Sequence, residues 1–146
     1  MGKKRIITKS DTQTSSESES ALTASVKRTK KQVINGLAHI SVSYNNTKIS
    51  VSDLDGNVIA WSSAGRLGFK GTKKSTPYAA NLVAKDCIER TRNFNLTNIR
   101  IVVHGIGPAR ESAIRGLAAT GLNILSIMDE TPIAHNGVKA KKPRRV

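Results

Sequence analysis

Three glycines, four cations and three hydroxyls, with no acid, fall between Gly65 and Pro77. Gly65, Gly68 and Gly71 let a backbone take unusual dihedrals and approach another surface closely. Arg66, Lys70, Lys73 and Lys74 then neutralise charge on what comes near, with Ser75 and Thr76 as short hydroxyl donors. The matching partner is a polyanion with a repeating phosphate backbone. A solvated surface loop explains the same composition, and for the segment taken alone the two readings stand level.

A second phosphate-like signal is Gly105-Ile106-Gly107-Pro108-Ala109-Arg110, which leads from an apolar run into a helical pattern. Free backbone N–H groups at a helix start, with Arg110 beside them, make an anion site. A plain strand-to-helix turn is the equal alternative. A third is the end of the chain, where Lys139, Lys141, Lys142, Arg144 and Arg145 follow one another without an acid. Such a tail can track an RNA backbone, or serve only as a solubility or localisation segment.

Catalytic patterns fail on spacing. Gly105-Ile106-Gly107 lacks the third glycine of a dinucleotide fingerprint, and Gly68 to Ser75 does not have phosphate-loop spacing. His39, His104 and His135 lie far apart with no neighbouring ligand at metal spacing, and the first two read as surface-strand residues. Cys87, the single cysteine, sits on an apolar helical face and reads as a small core residue. A metal-dependent nuclease needs carboxylates converging on two ions. Asp53, Asp55, Asp86, Glu89, Asp129 and Glu130 are scattered and read as solvated surface acids. No catalytic constellation, metal site or cofactor is expected.

Composition supports the anion reading. The chain has 146 residues and a formal net charge of +14, an excess that points to nucleic acid or an anionic surface. Most of the excess sits at the ends, in residues 1–35 and 134–146, around a nearly ordinary middle. No apolar run approaches the roughly 20 residues of a membrane span. No apolar segment follows the basic start, and Asp11, Glu17 and Glu19 argue against a presequence, so an intracellular protein is expected.

These segments need elements to hold them. Residues 1–32 are poor in apolar side chains and read as a flexible basic, Ser-rich arm. Ala38, Ile40, Val42 and Tyr44 alternate as one face of a strand. Asn45-Asn46 turns the chain, Lys48 to Ser52 resumes the alternation, and Asp55-Gly56 is a hairpin turn before Val58 to Trp61. Thr76-Pro77 starts a helix whose Ala80, Val83, Ala84, Cys87 and Ile88 face inward. Ile99 to Val103 reads as an interior strand. A second helix runs from about Arg110 to Thr120 with Ile114, Leu117 and Ala118 inward, and Gly116 marks a close neighbour. Ile124 to Met128 is the last strand. The order β-β-β-α-β-α-β predicts an α/β fold: a mixed five-stranded sheet, an antiparallel meander followed by α-β-α-β, with packed helices and ribonuclease-H-like topology. The globular domain is expected over 33–131, with an extended basic tail over 132–146.

Gly36-Leu37-Ala38-His39-Ile40, Tyr44-Asn45-Asn46-Thr47 and Lys74-Ser75-Thr76-Pro77-Tyr78-Ala79-Ala80 resemble, in order, the family of the eleventh small-subunit ribosomal protein. So do Gly105-Ile106-Gly107-Pro108-Ala109-Arg110-Glu111-Ser112 and Thr131-Pro132-Ile133-Ala134-His135-Asn136-Gly137. The resemblance covers about residues 33–146, and the His-Asn-Gly stretch is similar to the bacterial and organellar branch. Ala134, Val138 and Ala109 depart from the family's usual proline, cysteine and glycine. The resemblance implies a non-catalytic structural protein of the small subunit. It implies binding to small-subunit rRNA in the platform near the mRNA exit region, beside other platform proteins, in a cytoplasmic or alternatively an organellar ribosome. It implies RNA contacts at Asn45, Asn46, Arg66, Lys70, Lys73, Lys74, Ser75, Thr76, Arg110, His135, Asn136, Lys139, Lys141, Lys142, Arg144 and Arg145. It also suggests that isoaspartate can form at Asn136-Gly137. A ribonuclease-H-like nuclease and a free-standing RNA chaperone are the alternatives.

Overall fold

The computed structural model describes residues 32–139 and 141–142. The arm up to residue 31, and Arg144 and Arg145 of the tail, lie outside the described residues. Strands β1 (Asn35–Ser43), β2 (Asn46–Asp53) and β3 (Val58–Ser63) form the antiparallel meander. Helix α1 (Pro77–Thr91) leads to β4 (Asn98–Gly105), and α2 (Ala109–Ala118) leads to β5 (Asn123–Asp129). Strand β4 pairs in parallel with both β1 and β5, so the sheet runs β3-β2-β1-β4-β5. This is the mixed five-stranded sheet that the sequence predicts.

Period-two alternation makes one face of the sheet apolar. Ala38, Ile40, Val42, Ile49, Val51, Ile99, Ile101 and Val103 all point into it and are buried. Both helices cover that face; α1 lies over β2 and β3, and α2 packs on α1. Thr76 caps α1 by accepting the Ala79 N–H at 3.3 Å, with Pro77 in the first turn. Ala80, Val83, Ala84, Cys87 and Ile88 of α1 are buried, as the helical spacing predicts. Burial pushes the Cys87 thiol up to about 12, and its Sγ lies 3.8 Å from the Ile49 carbonyl oxygen, so it is a core residue. The helices touch at Gly116, where a Cβ would stand 2.9 Å from the Ala84 Cβ and 3.1 Å from Asn81 Oδ1.

Three expectations are corrected. Tyr44 does not continue the inward face of β1: the strand ends at Ser43, and Tyr44 stands in the turn at 71% exposure. Ala118 is exposed rather than inward. Helix α2 stops there rather than at Thr120 because the chain tightens, with Thr120 N–H donating to the Leu117 carbonyl at 3.2 Å. No helix among the described residues is long and apolar enough to cross a membrane.

Candidate nucleic-acid interface

Strand register brings the separate basic segments to one end of the sheet. Ser43 pairs with Asn46 at the β1–β2 turn, and Lys48 pairs with Ser63 where the chain leaves β3. Val42 pairs with Gly105 where it leaves β4, and Val103 pairs with Asp129 where it leaves β5. Strands β1, β3, β4 and β5 therefore all finish at the same end. Both helices begin there, so the positive ends of two helix dipoles share the rim with the basic loop. Among the sequence-predicted residues, Asn45, Asn46, the Arg66–Thr76 set and Arg110 are collected here, and the tail starts beside them.

The basic loop is a built structure rather than an open one. The Ala64 N–H donates to the Thr47 carbonyl at 3.0 Å, and the Phe69 N–H to the Ala64 carbonyl at 3.1 Å, which ties the loop's start to β2. Gly68 and Gly71 take positive φ of 88° and 58° with nothing crowding them, so they are turn glycines. Gly71–Ser75 then winds into a 3₁₀ turn. Ser75 is buried, and its Oγ donates to the Thr72 carbonyl at 3.1 Å. Thr76 Oγ1 donates to the Lys73 carbonyl at 2.8 Å while capping α1. The two hydroxyls thus hold the turn together. Arg66, Lys70 and Lys73 are exposed and Lys74 is half-buried. Asn45 is exposed in its turn; Asn46 has its amide oxygen buried with no hydrogen-bond partner among the described residues.

Arg110 is tied down. Its Nη1 donates to the Gly105 carbonyl at 2.9 Å, and its Nη2 pairs with Asp129 Oδ2. Thr131 closes the cluster: its hydroxyl donates to Asp129 Oδ1 at 2.6 Å and accepts the Gly105 N–H at 3.1 Å. The Thr131 hydroxyl, and after it Arg110, hold the Asp129 carboxyl down at about 2. Gly105 has φ 89°, and a Cβ there would overlap the Val42 carbonyl oxygen, so only glycine lets this loop lie against β1.

Among the acids expected to be solvated, Asp129 is engaged as above, and Asp86 accepts from Ser62 Oγ at 2.6 Å and pairs with Arg90 at 2.9 Å. The Arg90 hydrogen bond holds the Asp86 carboxyl below its ordinary range. His39 and His104, remote in sequence, stack with ring centroids 6.1 Å apart. Among the described residues no group of three or more His, Cys, Asp or Glu could hold a metal ion. Of the tail, His135, Asn136, Lys139, Lys141 and Lys142 are exposed, and Asn136 takes a positive φ of 52°.

Sequence reasoning passed over Trp61 and Thr131. The inward Ala60 and Ser62 place Trp61 outward, and the Arg66 guanidinium lies 5.0 Å from its ring centroid. That alternation was a usable signal. Thr131 gave none, because its partners Gly105 and Asp129 meet it only through strand pairing.

The fold and its crowded rim define a mixed α/β domain with basic loops gathered at one end of its sheet. The family model described as ribosomal protein S11 matches residues 36–145, and the chain belongs to that family. Membership makes it a structural constituent of the small ribosomal subunit, located in the ribosome. Its partners are small-subunit rRNA and ribosomal proteins.

Proposed function

We propose that the chain binds small-subunit rRNA in the platform, near the mRNA exit region, and supports subunit assembly and translation without a catalytic role. The observation that carries this reading is the meeting of the β1–β2 turn, the basic loop, the Gly105–Arg110 loop and the start of the tail at one end of the sheet. Arg66, Lys70, Lys73 and Lys74 are the phosphate contacts of that rim, and Asn45 and Asn46 add hydrogen bonds from the neighbouring turn. Arg110 fixes the Gly105–Arg110 loop and leaves backbone N–H groups of α2 to face RNA. Ser75 and Thr76 act by shaping the 3₁₀ turn. Residues 132–146 extend the contact along the backbone through His135, Asn136, Lys139, Lys141, Lys142, Arg144 and Arg145, beside the 33–131 domain. Recognition is by phosphate neutralisation and RNA shape.

The test is a salt titration of the chain on an rRNA fragment of the central domain. Neutralising about six to ten phosphates predicts an affinity loss on the order of 10³–10⁵ between 50 and 200 mM salt, on the duplex-DNA scale. A flat response contradicts the reading.

A further inference from the structure

Both helices lie on one face of the sheet, and the opposite face carries a different chemistry. Register sets Trp61, Ser50, His39, Val102 and Met128 in one row across all five strands. Lys48 stands in the next row beside Ser63 and Ser41, and Arg100 stands beyond His39 along the sheet. No strand residue on this face is an Asp or Glu; one acid, Glu130, reaches its margin, 3.9 Å from His104 Nε2. Trp61 is 52% exposed, although an indole is usually well covered in a folded chain. Among the described residues its ring contact is the Arg66 guanidinium, an exposed cation–π pair weak enough to be exchanged.

An exposed aromatic ring on a sheet face whose strand residues include no acid, flanked by cations, suits a nucleotide whose base is free to stack. Duplex RNA does not fit, because its bases already stack on each other. A protein segment would find the apolar Met128 but not Val102, which is buried at 6% exposure, and would leave Lys48, Arg66 and Arg100 without counter-charge. We propose that the helix-free face of the sheet is a platform for an unpaired rRNA nucleotide, whose base stacks on Trp61 while Arg66 and Lys48 take the flanking phosphates. The base replaces the Arg66 guanidinium on the ring, and Arg66 turns to the phosphate. This rests on the rRNA-binding reading above and names the kind of RNA structure that it meets: a bulge, loop or strand end.

Trp61 is the single tryptophan of the chain, so its fluorescence reports this site alone. The full chain is titrated with an oligoadenylate decamer, with an abasic decamer carrying the same phosphates, and with small-subunit proteins free of RNA. The oligoadenylate is expected to quench Trp61 emission and to bind roughly 5- to 150-fold more weakly to Trp61→Ala than to wild type. Trp61→Phe should recover most of that loss, and circular dichroism confirms that both variants fold. The abasic decamer is expected to bind with similar salt dependence and without quenching. Unchanged emission on oligoadenylate binding, wild-type affinity in a folded Trp61→Ala, or quenching by the proteins alone each overturns the platform. Those results leave salt-dependent binding of both decamers intact. Loss of that binding would instead overturn the rRNA-binding reading, and the platform with it.

Discussion

Arg110 shows how far residue type alone carries an argument. A cation at a helix start reads as a phosphate ligand, and the fold instead gives its guanidinium to the Gly105 carbonyl and to Asp129. The same acid takes two hydrogen bonds from Thr131. Its carboxyl is therefore held down at about 2, with the Thr131 hydroxyl the largest cause. A lowered folded value means that the cluster favours the folded state above the unfolded carboxylate value, about pH 4. That preference is lost as pH falls through about 2. Carboxyl chemical shifts should give Asp129 a midpoint near 2 in the wild type and a value nearer the ordinary carboxylate range in Thr131→Val. An unmoved midpoint in the variant would rule out the hydroxyl as the cause. None of this was legible in the sequence, because Gly105, Arg110, Asp129 and Thr131 meet only after β4 and β5 pair.

Element-level features were far more legible, since each rests on a short-range period or a local cap. Ala38, Ile40 and Val42 alternate, Thr76-Pro77 opens α1, and both read out as written. Tyr44 failed because alternation says nothing about where a strand stops. A close neighbour was legible at Gly116, which weakens its own helix and so needs one to justify it; that the neighbour is α1 was not. Substitution there separates two effects of opposite sign. Gly116→Ala gains about 1 kcal/mol of helix propensity. It also drives a methyl group to 2.9 Å from the Ala84 Cβ, which has no rotamer to move to. Overpacking of this kind costs about 1–3 kcal/mol. The expected net result is a loss of up to about 2 kcal/mol by denaturant unfolding with an unchanged m-value; a more stable variant would show that the helices separate freely.

At the scale of the whole molecule, the sequence supplied the charges and withheld their arrangement. The basic loop, the Gly105–Arg110 loop and the tail are separated by tens of residues, and only the antiparallel meander together with parallel pairing of β4 with β1 and β5 brings them to one end of the sheet. Family membership supplies the small subunit as the destination. The central claim is that Lys70, Lys73 and Lys74 form the phosphate-facing part of that rim. Lys73 and Lys74 lie in the turn before α1, Lys70 directly precedes it, and all three are outside the buried core, so their replacement should leave the domain folded. The most direct measurement is the distribution of a Lys70→Ala/Lys73→Ala/Lys74→Ala variant in a sucrose gradient at moderate salt, beside wild type, with circular dichroism of the purified variant. The account predicts a folded protein that is depleted from the small-subunit peak and retained at the top of the gradient. A folded variant that enters small subunits as the wild type does would contradict it.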